Sequence, residues 1–342
     1  MKRALNIARG PMVLTLLLVI VLMSIVMVIA GTTPWEGFAS LLSGTLGGPR
    51  EIAETLAQTT ALLFPALGIC LAFRAGLFNI GAEGQLLLGG LTAGAIGAHF
   101  AGPGWIAIPV VLASGFVGGA LWGALAGWMK SRFNANEIIS TLMLNYVALY
   151  LANYLVSGPL KSPVATGSET APLPPSVWLP ALVPDTRLTV ALLIAIAIAV
   201  LLQFVFTRTV FGYELRALGE APEAARRNHV NIGRLTWLVM GLSGAIAGLG
   251  GAAIVSGELH RFNTQLSPGY GFTAIAVALV GDLNPLWICL AAFGFGILEA
   301  GGLAMQASAN IPEMAIHIIE GIIILVLAAR RYVTTRVEVP AV

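Results

Sequence analysis

From Phe73 to Gly90 the chain reads FRAGLFNIGAEGQLLLGG, and the reading of this stretch decides how the rest is organised. Apolar sequence runs up to Phe73 and resumes at Leu86, with Arg74, Asn79, Glu83 and Gln85 set among glycines between them. In a soluble protein such a stretch is an ordinary loop. Here it belongs to a chain of 342 residues that is 57% hydrophobic and only 10% charged, where a soluble domain carries about 25% charged residues. The apolar runs on both sides approach the roughly 20 residues that a helix needs to cross a bilayer. The stretch is therefore a polar break within membrane-spanning sequence. Its glycines permit a tight turn, and Glu83 falls at the start of the next helix, where a carboxylate complements the helix dipole.

Working outward, similar apolar runs occur at residues 11–30, 55–73, 84–100, 105–128, 137–156, 188–206, 235–256, 270–281, 286–305 and 312–329. The chain, 1–342, reads as a single all-α polytopic membrane domain of about ten transmembrane helices. The first run is longer than the core of a signal peptide and reads as a retained span. Cys70 and Cys289 lie inside apolar runs and behave as small hydrophobes. With the N-terminus in the cytoplasm, fourteen of the 18 Lys and Arg residues fall on the cytoplasmic side, which the positive-inside rule reads as both termini cytoplasmic.

Ten spans divide into two sets of five, and an odd number per set makes the second set an inverted copy of the first, as in many transporters. The third span of each set follows a Gly-rich polar stretch, GLFNIGAEG in one and SPGYG (Ser267 to Gly271) in the other. These read as mirrored turns, the first at the cytoplasmic side of a pathway and the second at the opposite side. The fifth spans carry polar stripes, Glu137, Thr141 and Asn145 in one and Glu313, His317 and Glu320 in the other, each along one helix face. Asn79, Glu83, Gln85, Asn136, Glu137, Thr141, Asn145 and His317 are the candidates for lining the pathway. For Glu83 a structural role, pairing with Arg74 or capping its helix, stands beside that reading. Polar side chains on spans also join helices together. Gly115, Gly119, Gly123 and Gly127 form a small-residue face suited to close helix approach.

Two loops interrupt the spans. Residues 157–187 are proline-rich and form the extracytoplasmic loop, either a structured cap or partner contact or a plain linker. Residues 207–234, on the cytoplasmic side, read TRTVFGYELRALGEAPEAARRNHVNIGR. Tyr213 to Leu218 is helix-compatible, Gly219 is a helix stop, and Pro222 begins a second short helix with Glu223 in its first turn and Arg226 and Arg227 further on. Two short helices with an apolar face suit docking to another protein; a solvated basic loop is the plainer alternative.

GEAPEAARR resembles the EAA-type coupling loop of ABC importer permeases, with one departure: Asn228 stands where that motif usually carries glycine. FNIGAEGQ, NEIISTLMLNY (Asn136 to Tyr146) and GYGFTAIAVALVG (Gly269 to Gly281) resemble signatures of the branched-chain amino acid, simple-sugar and nucleoside branch. GLFNIGAEGQ with SGPLKSP is most similar to nucleoside-type permeases. The resemblance implies a multi-pass permease of a bacterial cytoplasmic membrane. Its expected partners are a second, different permease subunit, ABC ATPase subunits and an external binding protein. It also implies that Arg216, Gly219, Glu220, Pro222, Glu223, Ala224, Ala225 and Arg226 couple the chain to an ATPase. No glycine–lysine pair occurs, so the chain lacks a P-loop; no cofactor of its own is expected, and ATP is used by the partner. Two rivals are weighed against this. An intramembrane serine protease rests on the GLSG stretch around Ser243, and an ion-coupled secondary transporter would need no docking loop.

Overall fold

The computed structural model describes residues 20–29, 31–100, 102–163, 167–228, 230–309, 318 and 321. The stripe of Glu313, His317 and Glu320 lies outside the described residues, as do most of the expected span 312–329 and the first half of 11–30. The described residues are helical apart from loops and two isolated bridges, Glu169 with Asn263 and Ala181 with Thr189. In chain order the helices are α1 (Ile20–Ile29), α2 (Pro34–Leu46), α3 (Pro49–Arg74), α4 (Ala82–Gly97), α5 (Gly104–Phe133), α6 (Glu137–Ser157) and α7 (Ala191–Arg208). They continue with α8 (Val210–Glu220), α9 (Pro222–Arg227), α10 (Ile232–Ile254), α11 (Tyr270–Val280) and α12 (Pro285–Ala309). A π-helical turn, Val255–Leu259, extends α10. Side chains cap several of these elements. Asn136 accepts hydrogen bonds at the start of α6, Thr209 at α8 and Asn231 at α10.

Among the described residues, six helices are long and apolar enough to cross a membrane, or seven if the bent pair formed by α1 and α2 is counted as one span. Two expected spans are shorter. α4 has 16 residues and α11 has 11, so they rise about 24 and 16 Å. Both begin at the Gly-rich polar stretches, where the backbone turns before the helix starts.

The chain forms two compact units. In the first, residues 1–55 with 296–342, Gly37 packs on Met27, Gly301 packs on Leu41 and Thr45, and the Thr55 hydroxyl donates to the Thr45 carbonyl. The second, Leu56–Phe295, holds the polar stretches and loops already singled out. At its centre three helices meet backbone to backbone. Gly115, Gly119, Gly123 and Gly127 of α5 face Gly244, Gly248 and neighbouring backbone of α10, and a Cβ on any of the four would strike α10. Gly248 also touches Gly89 of α4, and Gly251 lies against the Leu86 carbonyl. α4 is buried on nearly every side by this arrangement and, past the Glu83 and Gln85 of its first turn, carries only Thr92 as a polar side chain.

The 157–187 loop is a structured cap. Thr170 and Leu173 donate their amides to the carbonyls of Phe262 and His260, and Leu179 donates to Ser256. Trp178 stacks on His260 with ring centroids 3.9 Å apart. Arg187 pairs with Glu258 at 2.6 Å and Arg261 with Glu169 at 2.7 Å. The loop is thus bound to the segment that follows α10, and Leu173 lies over Gly97 at the end of α4.

The glycine contacts predict an asymmetry in stability. Gly119→Ala places a methyl group against the Gly244 carbonyl and is expected to destabilise by about 1–3 kcal/mol, the usual range for overpacking. Gly294→Ala, which meets nothing within 4 Å, is expected to leave the thermal unfolding midpoint in detergent unchanged or slightly higher.

Candidate functional site

The polar break after Arg74 forms a hydrogen-bonded turn in the interior of the second unit. From Leu77 to Ile80 the backbone has no regular structure, so its amides and carbonyls need partners that a membrane interior does not supply. Asn79, fully buried, uses its whole side-chain amide. Its Nδ2 donates to Gln85 Oε1 at 2.9 Å and to Ser243 Oγ at 2.8 Å, while Oδ1 accepts from the Gly81 amide at 2.9 Å and from Gln85 Nε2 at 3.1 Å. Ser243 Oγ in turn donates to the Gly68 carbonyl of α3 at 2.6 Å.

Helix α6 completes the turn. Thr141 Oγ1 accepts from the Ile80 amide at 3.2 Å, and Asn145 Nδ2 donates to the Ile80 carbonyl at 2.9 Å. Asn145 Oδ1 accepts from the Gly84 amide at 2.9 Å. The four-residue spacing that aligns Thr141 and Asn145 on α6 is what lets both reach one strand of backbone. Asn136 instead caps α6 through the amides of Ile138 and Ile139, and Glu137 pairs with Lys130 at 2.6 Å.

Glu83 does not pair with Arg74. Its Oε2 accepts from the Gly271 amide at 2.7 Å, and it also engages Ser267. Gly271 lies directly on the backbone of Ala82 and Glu83, so close that any Cβ there would collide with it. The two Gly-rich stretches, expected on opposite sides of the membrane, therefore touch. Glu83 sits in the first turn of α4 and caps α11, so one carboxylate stands at the positive ends of two helices. The Ser267 hydroxyl accepts from the amides of Gly269 and Tyr270, and the Tyr270 hydroxyl donates to Gln58 of α3 at 2.7 Å.

Arg74 belongs to a second junction. Its Nε donates to the Leu283 carbonyl at 2.7 Å, and its guanidinium lies 4.5 Å from the centre of the Phe206 ring. Arg216 of α8 donates to the Phe206 carbonyl at 2.7 Å. Beside them Gly219, near the end of α8, packs against the Arg74 carbonyl and the Ala75–Gly76 backbone. Gly76, at φ +70°, occupies the left-handed region that the tight turn needs. Beyond Gly219, Glu220 ends α8, and α9 presents Pro222, Glu223, Arg226 and Arg227 at the surface with Ala225 buried beneath them; Ala224 also lies on this helix. The loop 207–234 is therefore two helices, α8 reaching three residues earlier than expected because Thr209 caps it.

The structure thus brings Asn79, Gln85, Thr141 and Asn145 into one network, places Glu83 beside it against α11, and leaves Asn136 and Glu137 at the start of α6. Sequence reasoning missed the structural parts of Ser243, Ser267, Gln58 and Tyr270. Ser243 carried a faint signal as a hydroxyl in a run of small residues. With its proton donated to the Gly68 carbonyl and its oxygen occupied by Asn79, it has a structural partner on each side. Asn79→Ala would strand Ser243, Gln85 and the Gly81 amide. It is expected to lower the unfolding midpoint in detergent further than Ser243→Ala, which removes the partner of one Asn79 Nδ2 hydrogen and the donor to the Gly68 carbonyl, at about 1–3 kcal/mol per unsatisfied group.

Comparison with known proteins agrees with this architecture. The family model described as branched-chain amino acid transport system / permease component matches residues 51–327. A guanosine ABC transporter permease of Bacillus subtilis is 35% identical over 310 residues, covering 90% of this chain and 89% of its own length. A glucose ABC transporter permease of Haloferax volcanii is 33% identical over 339 residues, covering 95% and 88%. A nucleoside ABC transporter permease of Lactococcus lactis is 32% identical over 317 residues, covering 90% and 87%. The broken helices, the long apolar spans and this match over most of the sequence lead to one assignment: the chain is a multi-pass membrane protein of the branched-chain amino acid transport system permease family.

Proposed function

We propose that this chain is the pathway-forming permease subunit of an ATP-driven ABC importer and that its solutes are nucleosides. Family membership supports the transport role, and the guanosine and nucleoside permeases among its relatives support the solute. Simple sugars are the second reading, on the strength of the glucose permease relative. The observation that carries the coupling role is the contact of Gly219 with the Arg74–Gly76 backbone. Through it the helix pair α8 and α9 abuts the turn that leads into Asn79 and Glu83. A partner ATPase seated on Arg216, Gly219, Glu220, Pro222, Glu223, Ala224, Ala225 and Arg226 pushes on that turn directly. An ion-coupled transporter has no use for such a surface. The chain itself needs no cofactor.

In this reading residues 207–234 and both termini face the cytoplasm, and the 157–187 cap faces the external binding protein. The fold is ten spans in two inverted sets of five, with α4 and α11 as the third members of each set. Their N-terminus-to-N-terminus contact is what an inverted repeat with broken helices requires at its centre. A second, different permease completes the pathway. Asn79, Gln85, Thr141 and Asn145 hold the broken helices in register, Glu83 links the two sets, and Asn136, Glu137 and His317 complete the polar faces of the fifth spans.

Four variants test this in proteoliposomes holding the permease pair, the ATPase and the binding protein. Deleting Glu220 to His229 is expected to abolish both co-purification of the ATPase and ATP-driven uptake. Gly219→Val is expected to keep the ATPase bound while uptake falls about tenfold or more, because the added side chain displaces the Arg74–Gly76 turn; unchanged uptake would remove the proposed route. Glu83→Gln keeps an acceptor for the Gly271 amide and is expected to retain uptake within several-fold. Glu83→Leu leaves that amide and two helix ends without one and is expected to abolish it.

A further inference from the structure

α6 has two unlike faces. One carries Thr141 and Asn145 into the buried turn. The other is exposed and carries three tyrosines at four-residue spacing, Tyr146, Tyr150 and Tyr154, exposed by 54%, 70% and 69%. These are three of the six tyrosines in the chain, aligned on one membrane-spanning helix. Among the described residues none hydrogen-bonds their hydroxyls.

Lipid does not account for this face. Interfacial tyrosines gather at the ends of spans, which suits Tyr154 but not Tyr146, the tenth residue of a 21-residue helix. On the other long spans the exposed tryptophans Trp105, Trp128 and Trp287 lie toward helix ends, and exposed large side chains further in are hydrocarbon, such as Leu121 of α5, Val200 and Phe204 of α7 and Leu290 of α12. Nor does the face suit a second helix. Helices associate in membranes through small residues that let backbones approach, as α5 and α10 do here, whereas Met143, Val147 and Leu151 make this face bulky throughout.

We propose that Tyr146, Tyr150 and Tyr154 form an aromatic ladder along the solute pathway, recognising planar heteroaromatic solutes with polar edges, such as nucleobases carrying a sugar. This rests on the reading of the chain as a pathway-forming permease. Aromatic rings stack with centroids about 4.5–7 Å apart, and such stacking tolerates any base because each has a π-face. Successive tyrosines on α6 rise about 6 Å, so a ring leaving one phenol meets the next while the hydroxyls exchange hydrogen bonds with its polar substituents. A row of equivalent, individually weak sites is what passage demands: favourable enough to enter and weak enough to leave. The ladder selects planar rings over sugars alone.

The test uses the assembled transporter in proteoliposomes, in a Cys289→Ser background in which the remaining Cys70 is fully buried. Tyr146→Cys and Tyr150→Cys are expected to react with a charged, membrane-impermeant thiol reagent, with Leu121→Cys as the unreactive lipid-facing control. Saturating adenosine is expected to slow the reaction and glucose to leave it unchanged. Tyr150→Phe is expected to keep adenosine uptake within about twofold, and Tyr150→Leu to lower it about tenfold, the loss of one stacking contact. Thiols at 146 and 150 as unreactive as the one at 121 would overturn the ladder, as would a Tyr150→Leu variant that imports adenosine like the parent. Reactive thiols protected by glucose and not by adenosine would overturn the ligand class. A parent complex without ATP-driven uptake of either solute would refute the importer reading, while the thiol reactions would still decide the ladder.

Discussion

Gly248 touches two helices at once, and much of the second unit depends on that contact. It lies against Gly89 of α4 on one side and Gly115 and Gly119 of α5 on the other. Within a bilayer there is no hydrophobic force to drive helices together, because lipid tails are as apolar as leucine; close van der Waals contact must do the work. Only hydrogen side chains permit backbones to approach this far. With α4, α5 and α10 clasped in this way, Ser243 is brought opposite Asn79 and Gly68, and the polar turn acquires its floor.

That turn shows how a broken helix persists in an apolar interior. Each non-helical amide and carbonyl would be costly without a partner. Asn79 supplies partners from within the turn, Thr141 and Asn145 supply them from α6, and Ser243 ties the whole to α10. Glu83 works differently, reaching from the first turn of one short helix to the amide end of another. The carboxylate lies where two helix dipoles converge, so the field of the protein offsets part of the penalty of placing a charge there.

The two ends of this unit are built by contrasting means. At the loop 157–187 end, main-chain hydrogen bonds, a Trp–His stack and two ion pairs fasten a cap over α4 and α10. At the loop 207–234 end, the decisive contact is bare backbone: Gly219 on Arg74 and Gly76, braced by Arg74 on the Leu283 carbonyl and Arg216 on that of Phe206. Bare backbone contact transmits displacement with little slack, since no flexible side chain intervenes.

The class of the protein and most of its long helices follow from amino-acid order alone, because span length is set by bilayer thickness and is read from apolar run length. The same order also locates the breaks before α4 and α11, the two short helices of the 207–234 loop and the glycine face of α5, all of which follow from local chemistry or from periods of 3.6 residues. What those features meet depends on the folded arrangement of distant segments. Glu83 finds Gly271, 188 residues away, where a neighbouring Arg74 was the obvious partner; Ser243, a candidate nucleophile in isolation, proves to be a bracket for Asn79. The tyrosine face of α6 was hidden for the same reason. Helical spacing states which residues share a face, but whether that face meets protein, lipid or solute depends on neighbours that the sequence places far away.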